Sequence, residues 1–360
     1  MGECLALKYR PKKLSDLIGQ NNIIDQIEGF FKSNHIPQAY IFSGPRGTGK
    51  TSLARIFAKR VNCINPERAN PCCVCVNCKD IDSGVYSDYV EMDGASNTGV
   101  DDVRKIIEAV AYKSLSGKAK VYIIDECHML SKSAWNSLLK TIEEPPLNTY
   151  FILVTTENGK IPETIKSRSH TLFFRAVKYP DIIEHLNNIN SKENNINNSV
   201  ISIIANHAQG SVRDAVMLYE KITVLPREVI KNESEVSKYL GVESIEFVVG
   251  LVGAAWNKQY SVIIENAEIA VSYGYDFIRL TRSIQNYISD TIIFASTKNK
   301  QLCDIFGDYM HPIENNSSVS YETVIKQLVS VFFKLVKLEQ NLNYRNDKDI
   351  FITGLIEAFS

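Results

Sequence analysis

The stretch Ala39-Tyr40-Ile41-Phe42-Ser43-Gly44-Pro45-Arg46-Gly47-Thr48-Gly49-Lys50-Thr51 decides the fold of this chain. Its first five residues read as a buried strand. They lead into Gly-x-x-x-x-Gly-Lys-Thr, and Ser52 to Asn62 then has a helical character. Strand, loop and helix in that order form the context in which such a loop cradles phosphate. Gly44, Gly47 and Gly49 let the backbone turn its N–H groups inward around phosphate oxygens. The helix starting near Lys50 adds positive dipole character at the same point. Lys50 offers a point charge to the β- and γ-phosphates, and Thr51 a hydroxyl to Mg2+.

Further runs of the same kind flank this one. Val121-Tyr122-Ile123-Ile124 ends in Asp125-Glu126, Tyr150-Phe151-Ile152-Leu153-Val154 ends in Thr155-Thr156, and Val90-Glu91-Met92 precedes an Asp-Gly turn. Runs apolar throughout suit parallel strands covered on both faces. Their alternation with helical stretches predicts an α/β sheet over residues 1 to about 178. Carboxylates at the carboxyl end of a strand lie where such sheets bind ligands. Asp125 fits a Mg2+ partner and Glu126 a base that polarises an attacking water, which favours hydrolysis over mere binding. His128 reads as mostly structural, because Glu126 already fills the base role. After Tyr179-Pro180 helical periodicity takes over, and a third segment starts near Gly241. The asparagine-rich stretch from Asn187 to Asn198 reads as a polar loop between two helices. From Tyr321 to Leu342, Val324, Leu328, Val331, Phe332, Leu335 and Leu338 recur near a 3.6-residue period, as a bundle core or a subunit interface would.

Twelve residues after Thr51 a second motif begins, Cys63-x8-Cys72-x2-Cys75-x2-Cys78. Four thiolates at this spacing suit tetrahedral Zn2+ with no open position, hence a structural site, with redox chemistry as the runner-up. Cys73 reads as a bystander, and Cys4, Cys127 and Cys303 as small buried side chains. The net charge of −1, from 40 basic and 41 acidic side chains, leaves no global field for nucleic acid, so any such contact is local. No apolar run approaches the roughly 20 residues of a membrane span. Met1-Gly2-Glu3-Cys4-Leu5 lacks the features of a signal peptide, so a cytoplasmic location is expected.

Beyond these motifs stand Leu7-Lys8-Tyr9-Arg10-Pro11 with Leu17-Ile18-Gly19-Gln20, Met92-Asp93-Gly94-Ala95-Ser96-Asn97, Cys127-His128-Met129-Leu130 after the acid pair, Glu143-Glu144-Pro145-Pro146, Ser167-Arg168 and Gly210-Ser211-Val212-Arg213-Asp214-Ala215. Together with the phosphate loop and the four cysteines they span about residues 1 to 215. In this the chain resembles the bacterial DNA polymerase III gamma/tau family, the clamp-loader ATPases within the AAA+ superfamily. The cysteine insert is the specific part of the likeness, because ordinary AAA+ ATPases lack it.

The resemblance implies an α/β AAA+ P-loop NTPase domain with a parallel sheet over 1–178, carrying a zinc insert at about 63–78. It implies a small helical lid domain over 179–242 and an all-helical collar or oligomerisation domain over 243–360. Tyr9, Arg10, Pro11, Ile18 and Gly19 would pack on adenine, while Gly44, Pro45, Arg46, Gly47, Thr48, Gly49, Lys50, Thr51 and Ser52 hold the phosphates. Thr156 would be sensor 1, Arg213 sensor 2, and Arg168 an arginine finger serving a neighbouring subunit's ATP. Where the family has Ser-Arg-Cys this chain has Ser167-Arg168-Ser169, and the arginine is kept. The implied cofactors are ATP, Mg2+ and Zn2+. The implied partners are delta, delta-prime and further gamma/tau copies in a pentameric ring, the sliding clamp and primer-template DNA, with no membrane. The helix start after Ser96-Asn97-Thr98-Gly99, with Arg104 and Lys105, is the candidate DNA contact. The competing readings are a non-catalytic scaffold, opposed by the intact Lys50, Thr51, Asp125, Glu126 and Arg168, and a generic AAA+ remodeller, opposed by the cysteine insert.

Overall fold

In the computed structural model, which describes residues 4–112, 114, 118–193, 196–299, 303 and 321–360, the run Ala39–Ser43 forms β1 inside a five-stranded sheet. The other strands are β2 (Tyr89–Asp93), β3 (Lys120–Asp125), β4 (Thr149–Thr155) and β5 (His170–Phe173). Their spatial order is β2-β3-β4-β1-β5, and every pairing is parallel. The register sets Ser43 beside Thr155 and Asp93 beside Asp125. The loops after β1, β2, β3 and β4 therefore leave the sheet at one rim, as parallel pairing requires.

Side chains along β1 alternate between two apolar layers. Tyr40 and Phe42 join Leu53, Phe57, Val121, Ile123, Ile152 and Val154 on one face. Ala39 and Ile41 join Tyr122, Ile124, Trp135, Leu138, Phe151 and Leu153 on the other. Both faces are covered, which is why the central strands carry no polar alternation. β5 had given no sequence signal. It is a four-residue edge strand with one neighbour, in which Leu172 is buried and the last residue, Phe173, is exposed.

The chain divides into two compact units, residues 1–182 with 209–217, and 183–208 with 218–360. In the second unit, helices Ile245–Trp256, Tyr260–Ser272, Phe277–Thr297, Tyr321–Tyr344 and Lys348–Phe359 enclose one core. Leu328, Val331, Leu335 and Leu338 are buried in it, with Val324 and Phe332 packed alongside, so the periodic stripe serves this bundle's own core. The asparagine-rich stretch is partly helical, since one helix runs Tyr179–Asn190 and the next starts at Asn198. Asn190 is buried in the second unit, where its amide binds Ile196 O and Ile196 N–H and accepts from Tyr219 Oη. Its Oδ1 and Nδ2 thus replace backbone partners that a loop would lack. Residues Met1–Glu3 and positions 194–195 lie outside the described residues.

In the second unit His207 titrates far below its ordinary value, at about 3, because of burial first and then the charges of Arg279 and Lys221. The unfolded chain therefore takes up this proton near pH 6.5 and the folded chain does not. Stability from this group is full above about pH 6.5 and falls as pH drops toward 3, at about 1 kcal/mol per pH unit after allowance for solvent. Urea titrations at pH 7 and pH 5 should show this loss for the native chain and a smaller one for His207→Gln. Equal losses would remove His207 as the cause.

Candidate functional site

The loop between Ser43 and Lys50 closes on itself. Lys50 is 6% exposed, and its Nζ donates to Gly44 O at 2.7 Å and Pro45 O at 2.6 Å. Thr48 Oγ1 donates to Pro45 O at 2.9 Å. Burial holds the Lys50 ammonium below its ordinary range, and the Glu126 and Asp125 charges oppose that. Gly47 has φ 74°, and a Cβ there would lie 2.0 Å from Ser211 Oγ. The N–H groups of Val212 and Arg213 donate to Gly47 O at 3.1 and 3.4 Å. The segment 211–213 thus rests directly on the phosphate loop, which brings Arg213 to it from more than 150 residues along the sequence. The helix Lys50–Asn62 leaves the loop with its first N–H groups directed back into it, an anion-attracting arrangement.

Parallel pairing delivers the acids. Thr51 Oγ1 donates to Asp125 Oδ2 at 2.8 Å, and the other Asp125 oxygen accepts Glu126 N–H at 2.9 Å. Glu126 has a left-handed φ of 48°, which is uncommon outside glycine and swings its side chain off the strand axis. Gly94 makes room for that turn, because a Cβ there would sit 2.9 Å from both Asp125 O and Glu126 O. Thr156 Oγ1 donates to Glu126 Oε2 at 3.2 Å. Thr155 is fully buried and bonds Glu157 N–H and His128 Nδ1 instead. His128 stands between two carboxylates, 3.4 Å from Glu126 Oε2 and 3.3 Å from Glu157 Oε1. His128, expected to be mostly structural, lies against the same carboxylate oxygen as Thr156.

A cleft of about 860 Å³ beside this rim is lined by Arg46, Arg55, Asp93, Asp125, Glu126 and Arg213, among others. Arg55 pairs with Glu91 at 2.8 Å, and Tyr89 Oη also bonds Glu91. Sequence reasoning missed Arg55, although it lies one helical turn beyond Thr51 and so shares its face. Arg10 reaches the phosphate-loop helix, with Nε 3.4 Å from Ser52 Oγ, and burial and the Arg55 charge hold it below its ordinary value. Tyr9, Pro11 and Ile18 are half-buried and, with Gly19, are not among the residues lining the cleft. Arg168 is elsewhere on the first unit, bonded to Glu143 Oε1 at 2.8 Å and to Thr164 O at 2.9 Å. Arg104 is exposed on the helix Val100–Ala111 and pairs with Asp101 at 3.3 Å.

The sulfurs of Cys63, Cys72, Cys75 and Cys78 all lie within 4.8 Å of one another. A tetrahedral ion with sulfur ligands at about 2.3 Å needs sulfurs about 3.8 Å apart, so the four fit a metal of this kind. Backbone N–H groups point at the sulfurs, among them Cys72 N–H at Cys63 Sγ (3.3 Å) and Cys75 N–H at Cys72 Sγ (3.4 Å). Hydrogen bonds from the Val74 and Cys75 amides push the Cys72 thiol down to about 6, whereas burial pushes the Cys63 and Cys78 thiols up. Cys73 has φ 60° and turns away, donating to Lys12 O at 3.4 Å. Of the isolated cysteines Cys127 is buried as expected. Cys4 is exposed and Cys303 half-buried, which corrects the expectation for those two.

A family described as DNA polymerase III, delta subunit, matches residues 19–178. The chain is 42% identical to the DNA polymerase III subunit tau/gamma of Haemophilus influenzae over 70% of its own length and 37% of the relative's. It is 38% identical to the DNA polymerase III subunit gamma of Buchnera aphidicola subsp. Baizongia pistaciae, over 72% of this chain and 70% of that one. A solved structure titled Thermotoga maritima RuvB Holliday junction branch migration motor is similar at 20% identity and a TM-score of 0.46, over 68% of this chain and 78% of that chain. The chain spans about half or less of the length of the first three curated relatives that it matches.

If the four sulfurs share one ion, elemental analysis of the purified chain should give one metal per chain. Cys78→Ser should lose it and Cys73→Ser should keep it. Loss on Cys73→Ser alone would overturn the assignment.

Proposed function

The chain belongs to the family of bacterial DNA polymerase III gamma and tau subunits, and from that premise we propose that it is an ATP-driven motor subunit of a clamp loader. The observation that carries the reading is the joining of the phosphate loop to the acid pair, Thr51 to Asp125 at 2.8 Å, with Thr156 on Glu126 at 3.2 Å. In this reading the N–H groups of the loop and Lys50 bind the phosphates of ATP. Thr51 and Asp125 would hold Mg2+, which supplies charge neutralisation between the phosphates. Glu126 orients and polarises the attacking water, steadied by Thr156 and His128. Arg213 reaches the phosphates in cis from its seat on Gly47.

Arg168, paired with Glu143 in the isolated chain, would exchange that partner for the ATP of a neighbouring subunit. An exposed pair of this kind is worth little, about 1 kcal/mol at most, so the exchange is cheap. A guanidinium supplied from a neighbour makes hydrolysis depend on assembly. The ion of the cysteine cluster is Zn2+, and it stabilises the insert. Residues 1–178 act as the ATPase domain, 179–242 as a lid and 243–360 as a collar. ATP binding assembles a pentameric ring with delta, delta-prime and further gamma/tau copies. That ring opens the sliding clamp, and primer-template DNA triggers hydrolysis and release. The helix start after Gly99, with Arg104 and Lys105, contacts the DNA backbone. No helix among the described residues is long and apolar enough to cross a membrane.

ATP hydrolysis by the assembled complex should rise on addition of clamp and primed DNA. Lys50→Ala should abolish that rise. Arg168→Ala should reduce it about 10³-fold or more while leaving ATP binding by the isolated chain intact. An undiminished rise with Lys50→Ala would sink the catalytic reading, and one with Arg168→Ala the supply of an arginine in trans.

A further inference from the structure

We propose that the cysteine loop is a brace for the N-terminal arm of the nucleotide site, with Asn70 and Cys73 as its positioning residues. The proposal rests on reading the phosphate loop as the ATP site.

The arm is residues 10–17. Asp16 Oδ2 accepts the N–H groups of Lys12 and Lys13 at 3.0 and 2.9 Å, which folds residues 12–16 into one turn. Two groups of the cysteine loop reach this turn. Asn70 Oδ1 accepts Leu14 N–H at 2.8 Å, and Cys73 donates to Lys12 O at 3.4 Å. The arm in turn touches the phosphate loop and the helix that follows it, once each. Leu17 Cδ2 lies 2.9 Å from where a Cβ on Gly49 would be, and Arg10 Nε lies 3.4 Å from Ser52 Oγ. Leu14 and Leu17 are buried, so the arm cannot shift without disturbing the core beneath it.

Neither Asn70 nor Cys73 belongs to the group of four sulfurs, yet both flank Cys72. Asn70 is two residues before Cys72, and Cys73 follows it directly. Asn70 is further fixed by paired backbone bonds with Glu67 at 3.0 and 2.8 Å. Apart from that bridge, residues 64–74 belong to no helix or strand. Such a segment needs anchors to keep two side chains on a neighbour: the sulfur cluster grips it at Cys63 and Cys72, Arg60 Nε donates to Arg68 O, and Ala69 is buried in the core. The path from ion to nucleotide thus runs from Cys72 through Asn70 and Cys73 to Lys12 and Leu14, and on to Gly49 and Ser52. This gives the cysteine cluster a task within the ATPase domain, separate from any partner.

The test uses the full chain and a fluorescent, non-hydrolysable ATP analogue with Mg2+. Asn70→Ala leaves Leu14 N–H without its acceptor and should weaken analogue binding about fivefold or more. It should also speed hydrogen exchange at the amides of residues 12–17, with the metal retained and β3 and β4 unchanged. Asn70→Asp keeps an oxygen acceptor and should restore both measurements, which a general loss of stability would not do. Cys73→Ala, removing only the thiol contact, should move exchange in the same direction if Asn70→Ala proves unstable. Native affinity together with native exchange in Asn70→Ala, or in Cys73→Ala as its substitute, overturns the brace. Lys50→Ala separates the two readings. If it binds the analogue as the native chain does, the ATP site itself is misassigned. If it abolishes binding while Asn70→Ala changes nothing, only the brace fails.

Discussion

The parallel pairing of β1 with β4, and of β4 with β3, is the constraint on which the site depends. Because the three strands run the same way in register, Ser43, Thr155 and Asp125 finish at one rim. The phosphate loop, the acid pair and the polar hydroxyls then meet there. Gly44 N–H donating to Thr155 O at 3.2 Å extends the sheet pairing into the loop itself. A parallel sheet needs both faces covered, and the two apolar layers supply that cover. The same burial isolates Lys50, and so gives its charge a larger effect than it would have in water.

Around that rim the charges are arranged in pairs that leave some groups committed and others available. Asp125 is held by Thr51 and by its own neighbouring amide. Glu126 is held less firmly, by Thr156 and His128 at 3.2 and 3.4 Å, on a backbone bent into the left-handed region. Gly94 is the residue that permits the bend, since any side chain there would strike the carbonyls of the acid pair. Arg55 is committed to Glu91, whereas Arg213 comes to the cleft through its backbone bond to Gly47.

Much of the first unit was legible in the sequence, because its signals are local. The apolar runs at β1, β3 and β4 have no alternative use, and the Gly-Lys-Thr motif states its chemistry in consecutive residues. β5 was not legible, since a short edge strand with one neighbour needs little apolar character. Nor was Arg55, whose role depends on Glu91 approaching from another element. The periodic stripe in Tyr321–Tyr344 showed a buried face but not what would bury it. Four other helices of the same unit do so.

By itself the sequence determined the strand–loop–helix phosphate site, the Asp125-Glu126 pair, the four sulfur positions and the family. Each is set by residue type and spacing along a few turns of chain. Only the tertiary structure decided that Ser211 and Arg213 sit on Gly47, that His128 shares Glu126 with Thr156, that Cys73 faces Lys12 rather than the other sulfurs, and that Asn70 holds Leu14. These contacts join residues separated by up to some 160 positions, and side-chain direction selects them. Sheet register and the packing of both layers fix that direction, and neither can be read from any one segment.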